Sequence, residues 1–501
     1  MKNNVIVMSE AGKPIYSRHG SEEAIARQCG LFQAIRTAIN GNTAIDLGEI
    51  HSLHSGKLCI VFMTIQSITL VSISRIDEEG LVETETFARL QLEYIFAQLI
   101  FTLTEQIQTI FISNPGFDLR TMLTSSDGLI QGILDESGPD GNAGQFLVAG
   151  VQSLFPVSHN LRDQASRTLQ SIGNKTENTF FALLVVGNKL LSLVQPGFRP
   201  HQLRVSDLHL LLNFIAKQPG LFSSELWIPM CLPRFNSSGF LYAYTNCLDV
   251  KSKLTLILIS PLNTTEQFQL FRTAASRIRD GLGLPTHSDS VLTIVSSSNN
   301  EESPDSKNKH DVEWTRTESF DMDEEYVNVL SDADVVSRRQ GVVECALLTE
   351  IMKTDELSSL ETISKEYIMG EPLIHFLFRK DIPVKNSSKQ SSHGKGRLTQ
   401  CICPPIPVQF VETASRRRIW TNYQKLSLRL RLGSASVESS MDAFDMITQD
   451  EKANEDATFP GIAKDCPAIG LLESPPNVHG VTYSVEGSEV FLGMNGRDFE
   501  L

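Results

Sequence analysis

The sequence predicts an α/β protein built from tandem ββαβββα modules, each a five-stranded, mainly antiparallel sheet with flanking helices, the third copy incomplete. Three observations carry this. One order of strand-like and helix-like segments occurs twice between residues 4 and 282. The strand segments are apolar runs closed by turn residues, and the helical ones repeat apolar residues every three or four positions. From Leu373 a strand signal, HFLF, returns among long polar loops.

The elements follow in order. Val5 to Ser9 reads as a strand, Glu10 to Pro14 as a turn and Ile15 to His19 as a second strand, a hairpin with Gly12 at its tip. Ser21 is the predicted N-cap of the first helix, with Glu22 and Glu23 in its first turn and Ile25, Cys29, Phe32, Ile35 and Ile39 along one face until Asn40-Gly41. Three strands are expected around Ala44 to Leu53, Leu58 to Ile65 and Ile68 to Arg75. LCIVFM in the middle one lacks polar alternation, which suits a central strand. One long helix, Thr86 to Ile110, closes the module.

The second copy opens with a hairpin, Phe180 to Val186 and Leu190 to Val194 around Gly187-Asn188. A helix capped by Ser206 and stopped by Pro219-Gly220 follows. Strands at Glu225 to Cys231, Phe240 to Thr245 and Leu254 to Ser260 precede a helix capped by Thr264 or Thr265 and ended by Gly281. The expected organisation is a first module over 4–112, a partly helical connector over 113–178 and a second module over 179–282. A polar linker over 286–370, largely disordered but regaining helical periodicity from 328, leads to an incomplete third module over 371–501. An unfinished module should leave an apolar sheet face exposed.

A net charge of -15 argues against nucleic acid as a partner, since binding it needs Lys and Arg to neutralise phosphates. No run of about 18 uncharged apolar residues occurs, so a cytoplasmic chain with peripheral membrane contact is expected. The eight cysteines contain no C-x-x-C pair, so neither a zinc module nor a disulfide framework is encoded.

The Gly12-Lys13 pair after a strand invites comparison with a phosphate-binding loop. The pattern fails: Val7 stands where the first glycine belongs, Pro14 replaces the Ser or Thr, and a strand follows instead of a helix. His51 and His54, near Cys59, sit three apart on a predicted strand, which puts the imidazoles on opposite faces. Cys401 and Cys403, near His393 in a predicted loop, lack the second pair a zinc site needs. No G-x-S-x-G elbow is present, so side-chain catalysis is not expected and no cofactor or metal is called for. The basic helix RRRIWTNYQKLSLRLRL has two readings. It packs on the third module, or its exposed Arg416, Arg417, Arg418 and Lys425 touch acidic lipid headgroups.

VIVMSEAGKPIYSRHGSEE resembles the first longin module of the SAND or Mon family of vacuolar-fusion proteins. NPGFDLRTML, FFALLVVGNKLLSLVQP, SDLHLLLNFI and ELWIPMCLPRFNSSGFLYAY are colinear further matches. PLIHFLFRKD, RRRIWTNYQKLSLRLRL and NGRDFEL are similar to pieces of that family's third module. The chain departs from the pattern by starting almost at its first strand, by an apparent insertion over 288–370 and by stopping at DFEL.

The resemblance implies a subunit of a heterodimeric guanine-nucleotide exchange factor for a late-endosomal Rab GTPase. Its partner would be a longin-containing subunit of the calcium-caffeine-zinc sensitivity family, and its location the late-endosomal and vacuolar or lysosomal membrane surface. Such a factor binds the nucleotide-free GTPase most tightly and needs a shaped surface, not a nucleophile. The platform is expected on the first helix and adjoining strand, at Ser21, Glu22, Ile25, Gln28, Phe32, Arg36, Asp46 and Glu49. The alternative is a longin-type trafficking adaptor that binds a Rab or SNARE without speeding exchange.

Overall fold

The computed structural model describes residues 3–40, 50–75, 83–114, 117, 119–123, 127–138, 141, 143–155, 157–173, 176–195, 202–218, 220, 225–284, 345–357, 367–368, 371–383, 385–386, 397–403, 419–424, 469–470, 481–486 and 489–495. Strands β1 (Asn4–Ser9), β2 (Pro14–Ser17), β3 (Ser52–Ser55), β4 (Leu58–Ile65) and β5 (Ile68–Arg75) form an antiparallel sheet ordered β2-β1-β5-β4-β3. The third strand was expected to begin at Ala44; it is described from Ser52, and 41–49 lie outside the described residues.

Both faces of this sheet are covered, which is why LCIVFM shows no alternation. Cys59, Val61 and Met63 face helix α2 (Glu85–Leu103), while Ile60 and Phe62 face helix α1 (Glu22–Asn40). Each such buried side chain stabilises the fold by about 2 kcal/mol relative to exposure. Helix α2 is buried nearly all round. Ala88, Leu92, Ile95 and Leu99 meet the first sheet, whereas Leu90, Tyr94 and Phe101 enter a core shared with the second module. The closing helix is not continuous as expected. Thr104, with φ 61 and ψ 175, ends α2, and a separate helix, α3 (Gln106–Ser113), follows.

The connector supplies α4 (Arg120–Leu123), α5 (Asp127–Glu136), α6 (Ala143–Leu147), β6 (Val151–Gln152) and α7 (His159–Gly173). In the second module β7 (Phe181–Val186), β8 (Lys189–Gln195), β9 (Leu226–Leu232), β10 (Asn236–Asp249) and β11 (Leu254–Ser260) repeat the first order as β8-β7-β11-β10-β9. Helix α8 (Val205–Lys217) fills the inner face and α9 (Thr265–Gly281), capped by the Thr264 hydroxyl, the outer one. The predicted cap Ser206 lies inside α8. Its N-cap is the extended Arg204, with no side-chain bond, and Asp207 turns instead to accept the N–H groups of Arg234 and Phe235. His209 ties α8 to two other elements: its Nε2–H donates to the Gly150 carbonyl at 2.9 Å and its Nδ1 accepts from the Tyr94 hydroxyl at 2.8 Å. Burial pushes the imidazole down to about 4, so it stays neutral in that role.

Within the stretch expected as linker, helix α10 (Ala346–Leu357) docks Leu347 and Ile351 against Leu154, Leu282 and Leu284 of the second module. The Glu350 carboxylate accepts from the N–H and hydroxyl of Ser158. Beyond it come β12 (Tyr367–Ile368), β13 (Glu371–Pro383), β14 (Lys385–Asn386), β15 (Arg397–Ile402), a helical segment at 419–424, β16 (Ile469–Gly470), β17 (Val481–Glu486) and β18 (Glu489–Asn495). The order β15-β13-β18-β17-β16 is again that of the first sheet. Cys401, expected in a loop, is in strand β15, and Cys401 and Cys403 are both buried in the shared core.

Candidate functional site: the outer face of the first helix

Helix α1 begins where Gly20, at φ 122, turns the chain and the Ser21 hydroxyl accepts the Ala24 N–H at 3.4 Å. It rests on the sheet through Cys29 and Phe32, which pack on Ile6, Met8, Ile60, Phe62 and Val71. The Phe32 and Phe62 rings meet edge to face at 5.6 Å. Burial pushes the Cys29 thiol up, so it carries no thiolate at neutral pH.

The expected platform residues divide three ways. Phe32 is 4% exposed and Ile25 half-buried on the sheet, so both hold the helix down. Arg36 also turns inward, donating from Nη1 to the buried Thr69 hydroxyl at 2.6 Å. Ser21 caps, Glu22 pairs with Arg120 of α4 at 2.7 Å, and Gln28 is exposed. Asp46, Glu49, Arg416, Arg417, Arg418, Lys425 and His393 lie outside the described residues. Of the basic helix, residues 419–424 are described, and Ile419, Trp420 and Tyr423 are buried in the third module with Tyr423 hydrogen-bonded to His375.

What the helix does present is a row of exposed small residues. Ala26, Gly30, Ala34 and Ala38 recur every fourth position, and an added Cβ at Gly30 would meet nothing within 4 Å. Leu31, 58% exposed, stands beside them. Small residues let another backbone approach closely, and one projecting leucine adds apolar area that a partner could bury. Leu31 was missed because the helical pattern flags apolar residues on the core stripe, and Leu31 interrupts the polar face where periodicity assigns no role.

The remaining motif candidates are absorbed by structure. At the first hairpin tip the N–H groups of Glu10, Gly12 and Lys13 go to the Ser67 carbonyl, the Ser9 carbonyl and the Ser9 hydroxyl, so they are not free to cradle a phosphate. Gly12 is needed for its φ of 77 and for its closeness to Gln33. His54 faces Cys59 across β3 and β4, with Nε2 and Sγ 3.9 Å apart, and no three His, Cys, Asp or Glu converge among the described residues. No described helix is long and apolar enough to cross a membrane.

Comparison with known proteins matches residues 3–133 to the first longin domain of FUZ, MON1 and HPS1 and residues 177–278 to the second. Similar proteins include Protein SAND of Takifugu rubripes, 32% identical over 302 residues, covering 57% of this chain and 54% of that one. Vacuolar fusion protein MON1 homolog A of Gallus gallus is 34% identical over 260 residues (52% and 44%). Vacuolar fusion protein MON1 of Yarrowia lipolytica is 30% identical over 257 residues (51% and 45%). The chain spans about half the length of the curated relatives it matches.

Proposed function

From the premise that this chain belongs to the SAND/Mon1 family of vacuolar-fusion proteins, we propose that it is one subunit of a heterodimeric exchange factor. It would activate a late-endosomal Rab GTPase, at the surface of late endosomes and vacuoles or lysosomes. The observation that carries this is the first longin module itself: α1 is fixed to its sheet by Phe32 and Arg36 while Leu31 and the small-residue row face outward.

That arrangement suits a rigid binding surface. An exchange factor speeds GDP release by binding the nucleotide-free GTPase better than either nucleotide-bound form, which takes shape and rigidity but no acid, base or nucleophile. The partner is a longin-containing subunit of the calcium-caffeine-zinc sensitivity family, and its module and this one together form the platform. Acidic lipids are contacted through the basic segment around Arg416 to Arg418.

The test is state preference. The co-expressed pair is titrated against the late-endosomal Rab stripped of nucleotide, loaded with GDP and loaded with a non-hydrolysable GTP analogue. Tightest binding to the stripped form supports exchange; tightest binding to the GTP form makes the chain an adaptor instead.

A further inference from the structure

On the outer side of the second sheet α7 and α9 share a core with Leu154, Leu282 and Leu284, and α10 adds Leu347 and Ile351 to it. These two residues stand four positions apart, on one face of the helix. Beside Ile351, the Glu350 carboxylate reaches the start of α7. One oxygen accepts the Ser158 N–H and the other its hydroxyl, at 3.1 Å. The Ser158 carbonyl in turn accepts the Arg162 N–H, which makes Ser158 the N-cap of α7. The unpaired N–H groups and the dipole of the helix favour a carboxylate there.

The third module is held independently of α10, by β15 pairing with β6 and β14 pairing with β8. A helix of 12 residues is marginal on its own in water, so α10 is helical only while docked, and release melts it. The two ends of the stretch 285–344 meet at the groove, where the Cys345 thiol donates to the Leu282 carbonyl at 3.4 Å. With Leu284 behind it in the chain and β12 shortly ahead, a released α10 stays near its groove at an effective concentration on the order of millimolar. Two aliphatic side chains and one polar clasp are then enough to keep it closed.

We propose that α10 is a releasable strap, an amphipathic helix held in cis in a helix-binding groove of the second module, clasped by Glu350 at Ser158 and able to leave without disturbing the sheets. The groove consists of Leu154, Leu282 and Leu284, with the first turn of α7 at its polar end. Its ligand is a short helix with two aliphatic residues four apart and a carboxylate just before the second, which is the pattern of α10 itself.

Site-resolved amide exchange is measured for the wild-type chain, Glu350→Ala and the double variant Leu347→Asp/Ile351→Asp, and a fluorescent peptide of residues 345–357 is titrated against each. In the wild type, α10 amides should exchange at least tenfold faster than those in the middle of α9, because they open locally. Glu350→Ala should speed α10 by at least a further tenfold and leave α9 and thermal unfolding unchanged. The peptide should bind the double variant at least tenfold more tightly than the wild type, since the altered strap no longer competes from within the chain. A peptide carrying Glu350→Ala should bind more weakly. Exchange of α10 and α9 at one common rate would make α10 a fixed part of the module and overturn the strap. Peptide binding to wild type and double variant alike, or to neither, would overturn the groove. Should the double variant not fold, Glu350→Ala keeps both aliphatic side chains and carries the same comparison: faster α10 exchange and tighter peptide binding than wild type, or the proposal fails.

Discussion

Asp207 offers a sharp test of how the second module is held. Its side chain is 0% exposed at the start of α8, and it accepts the Arg234 N–H at 3.1 Å and the Phe235 N–H at 2.9 Å. These bonds, with Arg234 and Arg204 nearby, favour the charged form, yet burial outweighs them and raises the pKa from 3.8 to about 7. The folded state therefore binds this proton more tightly than the unfolded one. Between about pH 4 and pH 7 the stability contributed by the protonated carboxyl is lost as pH rises, at about 1.4 kcal/mol per unit. From pH 5 to pH 8 that amounts to about 3 kcal/mol. Asp207→Asn does not titrate. It keeps one acceptor, leaves one turn N–H without its partner, and costs about 1–3 kcal/mol at every pH. That offset cancels when the two proteins are compared across pH. Urea unfolding, read from the transition of Trp227 in the same module, should show wild type losing about 3 kcal/mol relative to Asp207→Asn on going from pH 5 to pH 8. A wild-type-to-variant difference equal at both pH values would show the carboxyl already ionised throughout, and the dominance of burial over its two N–H bonds would be wrong.

Three further expectations concern the first module. Phe32→Ala removes the edge-to-face contact with Phe62 and leaves a cavity under α1, costing about 3–4 kcal/mol and raising amide exchange along that helix. Leu31→Glu leaves thermal stability within about 0.5 kcal/mol, because the side chain touches little, but lowers binding to the partner or GTPase in a titration of the pair. Thr104→Gly relieves a β-branched residue held at φ 61 and raises stability by about 1 kcal/mol in urea unfolding; destabilisation would show that the turn is unstrained.

Much of this architecture was legible in the sequence. The repeated ββαβββα order anticipated two sheets of one topology, and the hairpin tips at Gly12 and Gly187 fell where positive φ was required. Local signals did less well where tertiary contacts decide. The closing helix reads as continuous to Ile110 because nothing in LTEQIQ marks a break; in the fold the break falls where the Glu105 N–H turns to the Ser237 carbonyl of β10. Ser206 is a good cap by type, but the turn at Arg234 and Phe235 draws in Asp207 and shifts the helix start. Cys401 looks like loop because the Cys-Pro-Pro stretch follows it, and pairing with β13 makes it strand. At the candidate site, the resemblance placed Phe32 and Ile25 on the platform, whereas their apolar character on the periodic face of the helix is what buries them. Exposure, which decides what a partner can touch, is not a property of residue type, so Leu31 escaped notice.

The most direct measurement of the central claim is release of a fluorescent GDP analogue from the late-endosomal Rab, followed with this chain alone, the partner alone and the two co-expressed. The account predicts acceleration by the pair and by neither subunit singly, with Leu31→Glu in the pair reducing it. A stable pair that leaves the release rate at its intrinsic value would contradict exchange and leave a trafficking adaptor in its place.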